Sequence, residues 1–150
     1  MELGPVPLPS AIAAASRLVK VHPRWREMTL LVGLPEDVPF VRASEHHLVQ
    51  VLVNLLLNAA DACRGKGVVT ISIENSQAGG VRMVVADDGP GVAPEELDRI
   101  FEPFVSTKPV GEGTGLGLAI SRRLVETFGG TLSATASLKG ARFELRLETI

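Results

Sequence analysis

Apolar side chains recur every three to four residues in some stretches of this 150-residue chain and every second residue in others. The longest helical stretch, residues 45–64, sets Val49, Leu52, Val53, Leu56 and Ala60 along one face. Ser44 is its expected N-cap, and Gly65 and Gly67 end it. A second helix runs over 116–128 and is closed by Gly129 and Gly130. A third occupies 10–20 with Ser10 as its cap, and Pro94 opens a short acidic helix reaching Ile100. Strand-like runs fill the gaps. The first covers 28–32 before the proline-bounded turn "LPEDVP", and "FVRA" is a short extended piece. "VVTISIEN" and "VRMVVAD" flank the turn "SQAGG" as an antiparallel hairpin, and "TLSATAS" and "ARFELRLE" finish the chain. "MELGPVPLPS" reads as the proline-rich remnant of a linker.

This order predicts an α+β fold: a two-layer α/β sandwich with a mixed, largely antiparallel sheet and helices on one face. A single domain over 1–150 is long enough to bury one ordinary core. Composition changes this picture little. With 45% hydrophobic residues, 21% charged residues and a net charge of −2, the chain reads neither as disordered nor as a polyanion binder, so nucleic acid is not an expected partner. No apolar run is long enough to span a bilayer, so a soluble, cytoplasmic domain without direct membrane contact is expected. Cys63, the one cysteine, cannot form an internal disulfide and reads as a packed thiol.

Three places carry candidate chemistry. On the long helix, Asn54, Asn58 and Asp61 fall within about 60° of one another, opposite the apolar face, with His47 and Gln50 extending the stripe. Asparagine is a poor helix former, but its neutral oxygen suits Mg²⁺ when phosphates and water complete the shell. In "ADDGPGV", Asp87 leaves a strand just before Gly89 and Gly91, where an acceptor-only carboxylate can read an amino group. In "GEGTGLGLAI", the alternating glycines Gly111, Gly113, Gly115 and Gly117 let amides converge on a helix N-terminus, an anion site in geometry. The plain alternatives are a solvated helix face, an ordinary Asp-Gly turn and a flexible hinge. Neither a GxxxxGK[ST] loop nor a GxGxxG fingerprint is present.

In this order, "HLVQVLVNLLLNAADA", "DDGPGV", "IFEPFVSTK" and "GEGTGLGLAI" closely resemble the four boxes of the ATP-binding catalytic domain of sensor histidine kinases. The resemblance implies that Asn58 ligates Mg²⁺ with Asn54 nearby, and that Asp87 recognises the adenine amino group. It further implies that Gly89 and Gly91 shape the nucleotide floor and that Val92 packs near the base. Gly113, Thr114, Gly115, Leu116 and Gly117 would line the phosphate side, Phe101 and Phe104 brace a lid, and Lys108 approach the phosphates. No catalytic side chain is assigned within the chain.

Relatives that hydrolyse ATP carry a glutamate four residues before the metal-binding asparagine, and anti-sigma serine kinases share it. Here Asn54 stands at that position and cannot take a proton. A histidine acceptor brings its own lone pair, so phosphoryl transfer to histidine needs no such base. His22, His46 and His47 all lack the following acidic residue of the family's acceptor motif. The chain is therefore expected to be an excised, monomeric domain that binds ATP and Mg²⁺ and phosphorylates a histidine on a separate dimerisation domain, with a response regulator downstream. A membrane anchor elsewhere in the parent stays open, as do a non-catalytic ATP sensor and a related ATPase. Two positions depart from the family: Asp61 where some members carry a basic residue, and Ala141 where many carry Ser or Thr.

Overall fold

The computed structural model describes residues 2–76, 79–103, 117–135 and 139–150. Its elements are β1 (Gly4–Val6), α1 (Leu8–Lys20), β2 (Glu27–Gly33), β3 (Val41–Ala43), α2 (Glu45–Ala62), β4 (Lys66–Asn75), β5 (Val81–Asp87), α3 (Gly117–Thr127), β6 (Thr131–Thr135) and β7 (Arg142–Leu147). Five strands form one sheet in the order β2-β4-β5-β7-β6. β2 runs parallel to β4, and all other neighbours are antiparallel, so the expected mixed α+β sandwich is what forms.

Strand alternation explains which face the sheet buries. Ile73, Met83, Leu145 and Leu132 stand opposite one another across four strands, and Ile71, Val85 and Phe143 form the next row. All seven are buried beneath the helices. The other face carries Arg82, which pairs with Glu74 and, at 3.1 Å, with Glu144. Pairs at the sheet surface contribute little, so the apolar rows hold the layers together.

Helix α2 lies at the centre, burying Leu48, Val51, Leu52, Leu55, Leu56, Ala59 and Ala60. This is not the expected face: Val49 and Val53 are only half-buried, and the buried stripe is turned by roughly a fifth of a turn. Periodicity was weak here because apolar residues surround most of the helix, and α1 and the sheet select which of them go inside. The rotation brings Asn58 to the edge of the buried stripe, whereas Asn54 stays on the far side of the helix; both are half-buried.

Three local expectations are corrected. The N-terminal stretch is no linker: β1 pairs antiparallel with β3, setting Val6 against Val41, both buried. Helix α1 therefore starts at Leu8, after Pro7 and with Pro9 in its first turn, and Ser10 caps nothing. The Ser10 hydroxyl instead lies 3.4 Å from the Glu45 carboxylate. The acidic helix after Pro94 is a single 3-10 turn, Pro94–Glu96, with none of its residues buried. Ser44 does occupy the N-cap of α2, yet its hydroxyl bonds to His47 Nδ1 at 2.8 Å rather than to the backbone.

The end of α2 is a Schellman closure: the Gly65 N–H donates to the Ala60 carbonyl and the Arg64 N–H to that of Asp61. Arg64 holds the left-handed φ of 54° that glycine prefers. Arg64→Gly is therefore expected to stabilise the domain by about 1 kcal/mol, measured as a raised urea midpoint. An unchanged or lower midpoint would mean that Arg64 makes compensating contacts.

Candidate functional site

Asp87 closes β5 and is 8% exposed. Its own N–H donates to the Ala141 carbonyl at 3.0 Å. Its Oδ1 accepts the N–H of Gly89 at 2.9 Å and of Ala141 at 3.2 Å. No group among the described residues donates to Oδ2, so one edge of a buried carboxylate remains an unused acceptor. Ala141, read as a missing hydroxyl, thus serves through its backbone, which any residue could supply except proline.

Glycines let other chain segments reach this carboxylate. A Cβ on Gly89 would lie 3.0 Å from Asp87 Oδ1 and 3.2 Å from the Ala62 carbonyl, so the loop after β5 presses against the end of α2. Gly140 has φ +90°, and a Cβ there would lie 1.8 Å from the Asp87 carbonyl oxygen. Gly91 also needs a positive φ, 87°, and Val92 packs half-buried against the core. Next door, Asp88 turns the opposite way: its Oδ1 accepts the Val68 N–H at 2.9 Å and the Cys63 thiol at 3.6 Å. Burial, then the charges of Asp87 and Asp88, push the Cys63 thiol up to about 11, which keeps it protonated and unreactive.

Burial raises the Asp87 carboxyl above its ordinary value of 3.8; the Gly89 and Ala141 amides pull it back, and the Asp88 charge adds to the rise. A carboxyl raised on folding stabilises the native state fully below 3.8, and that contribution is lost as pH rises through the raised value. Urea denaturation of the wild type and of the non-titrating Asp87→Asn variant should therefore show the difference moving in the wild type's favour between pH 7 and pH 4. A difference independent of pH would contradict the assigned burial.

The two asparagines stand one turn apart on α2. Asn54 Nδ2 donates to Ser121 Oγ on α3 at 3.2 Å, tying the two helices together. Asn58 lies between that contact and the Gly89 end of the helix. Asp61 does not stand as an isolated anion, because Arg24 Nη1 lies 3.1 Å from its Oδ2. The turn carrying Arg24 is anchored to α2 by the Trp25 indole N–H, which donates to the Leu56 carbonyl at 3.0 Å.

Phe101 is a core aromatic, edge-on to Phe143 at 6.2 Å between centroids, with the Arg122 guanidinium 4.5 Å above its ring. Gly117 opens α3 in open space, with nothing within 4 Å of where a Cβ would stand. Phe104, Lys108, Gly111, Gly113, Thr114, Gly115 and Leu116 lie outside the described residues. Ser121, Gly140 and the Ala141 backbone went unnoticed in the sequence. Their partners are 67 and 54 residues away for the two hydrogen bonds, beyond any local pattern.

The sequence model for the histidine kinase-, DNA gyrase B-, and HSP90-like ATPases matches residues 43–149. The chain belongs to this family. The sensor histidine kinase ZraS of Escherichia coli O157:H7 is 40% identical over 148 residues, covering 98% of the chain and 32% of ZraS. The two-component sensor PprA of Pseudomonas aeruginosa is 44% identical over 119 residues, 75% of the chain and 13% of PprA. The chain thus spans about a third or less of the curated relatives it matches.

Among solved structures, the nucleotide-free catalytic domain of histidine kinase ThkA superposes with a TM-score of 0.86 at 29% identity, covering 99% of this chain and 97% of that one. Full-length ShkA in complex with AMPPNP gives 0.85 at 34% identity, covering 100% of this chain and 32% of ShkA. The family match begins at β3 and ends after β7, so this ATPase-family core includes α2, the Asp87 loop and α3. Among the described residues, no helix is long and apolar enough to cross a membrane.

Proposed function

We propose that the chain binds ATP with Mg²⁺ and passes the γ-phosphoryl group to a histidine on a separate dimerisation domain, as the kinase step of a two-component system. The observation that carries the reading is Asp87: a buried carboxylate pinned through Oδ1, with its second oxygen left to accept from the amino group of adenine. The bare Gly89 backbone beside it makes the floor a base can approach, since a Cβ would fill that space.

Mg²⁺ fits the donor set on α2. Asn58 and Asn54 offer neutral carboxamide oxygens, and the described residues contain no cluster of three His, Cys, Asp or Glu. Phosphates and water would supply the rest of such a shell. When bound, the ion neutralises charge on the phosphates. The chain's own work is then to hold the base through Asp87, to orient the phosphates along α2 and to keep Asn58 toward them. Gly113, Thr114, Gly115, Leu116, Gly117 and Lys108 are proposed to close the phosphate side.

Hydrolysis as the main activity is disfavoured by Asn54, whose amide donates to Ser121 and cannot accept a proton from water. The dimerisation domain and response regulator are proposed partners, and the cytoplasm the proposed site of action, with the parent kinase anchored in a membrane or not. The test is incubation with ATP, Mg²⁺ and the parent's dimerisation domain, reading acid-labile phosphate on that domain. Label on its histidine is the expected result. Nucleotide binding without label would leave a non-catalytic ATP sensor.

A further inference from the structure

Among the described residues, just two polar or charged side chains are buried, Asp87 and Ser121. Asp87 belongs to the base-binding end; nothing in the proposed function uses Ser121. Helix α3 sends two residues fully inside, Val125 and Ser121, both 0% exposed. An alanine at the second position would avoid burying a hydroxyl, which costs free energy unless it is hydrogen-bonded. The partner Ser121 has found is Asn54 Nδ2, at 3.2 Å.

A serine hydroxyl both donates and accepts, so it can tether a carboxamide by either end. The bond to Ser121 holds the Asn54 carboxamide against α3, one helical turn from Asn58. We infer that Ser121 is a positioning residue: it fixes the rotamer of Asn54, so that its carboxamide is held ready near Asn58 for Mg²⁺ or one of its waters. This rests on the proposed ATP–Mg²⁺ reading and extends it. An Asn54 released from Ser121 is free to swing among its rotamers, and ordering it again when the metal binds costs entropy. Outer partners that orient a metal's ligands are typically worth 10- to 100-fold in metal affinity.

The experiment is ATP titration with Mg²⁺ and with EDTA, on the wild type and on Ser121→Ala, Asn54→Ala, their double variant, Asn58→Ala and Ser121→Thr, each checked for folding by thermal unfolding. The quantity read is the enhancement of ATP affinity by Mg²⁺. Ser121→Ala is expected to reduce it by about tenfold while leaving the EDTA affinity within about twofold. The double variant should be no worse than Asn54→Ala, because Ser121 acts through Asn54. Ser121→Thr, which keeps the oxygen, should retain the enhancement. Equal losses with and without Mg²⁺, full additivity with Asn54→Ala, or a folded Ser121→Thr as impaired as Ser121→Ala would each overturn the inference. If Asn58→Ala leaves the enhancement intact, the metal reading itself fails. If Asn58→Ala removes it and Ser121→Ala does not, only the role of Ser121 fails.

Discussion

Asp87→Asn should weaken ATP binding by roughly 100-fold, about 3 kcal/mol, while leaving the domain folded. The variant can keep its Oδ1 as the acceptor for the Gly89 and Ala141 amides, so the loop around it need not move. What changes is the other end, where an acceptor becomes an NH₂ donor facing the adenine amino group. Two donors then meet in a buried place where neither can reach water, which costs more than a lost hydrogen bond. The same logic predicts a change of preference. Inosine triphosphate carries an oxygen where adenine carries the amino group, so Asp87→Asn should narrow the ratio of ATP to ITP affinity by at least about tenfold. Competition binding against a fluorescent ATP analogue reads both numbers. A variant that binds ATP like the wild type would remove the adenine assignment.

The largest stability effect is expected at Gly140, a residue with no assigned contact to nucleotide. Gly140→Ala would set a methyl group 1.8 Å from the Asp87 carbonyl oxygen and 2.8 Å from its carbonyl carbon. Those atoms are backbone at the end of a central strand and have no rotamer to escape into. The φ of +90° adds strain that alanine tolerates poorly. Relief requires β5 and the start of β7 to part, breaking both bonds between Asp87 and Ala141. A loss of about 4 kcal/mol follows, or roughly 12 °C in melting temperature for a domain of this size. Gly117→Ala is the matched control, since a Cβ there meets nothing within 4 Å, and it should melt near the wild type. A Gly140→Ala protein melting within a degree or two of the wild type would contradict the close approach.

Much of the site was legible because its signals are local. Asp87 is followed within four residues by Gly89 and Gly91, and the asparagines are four apart on one helix, so short-range spacing exposes both. Ser10 misled for the opposite reason: it is a good cap in isolation, but the burial of Val6 and Leu8 draws the chain into a strand and then a helix before Ser10 is reached. The acidic run after Pro94 has helix-forming residues, yet it buries none of them and stops after one 3-10 turn. Asp61 looked like a lone departure from the family's basic residue until the fold brought Arg24 beside it, from 37 residues earlier.

By itself, the sequence determined the α+β class, the hairpin of β4 and β5, the helix carrying Asn54 and Asn58, and the candidate roles of Asp87 and the glycine-rich segment. Each depends on periodicity or on residues within a few positions of one another, where backbone geometry alone sets the distances. Only the tertiary structure decided which face of α2 is buried, that Gly140 and the Ala141 backbone pin Asp87, and that Ser121 holds Asn54. Those choices depend on groups far apart in sequence, 54 residues for the Ala141–Asp87 bond and 67 for Asn54–Ser121, brought together by strand pairing and helix packing that minimise exposed apolar surface and unpaired buried polar groups.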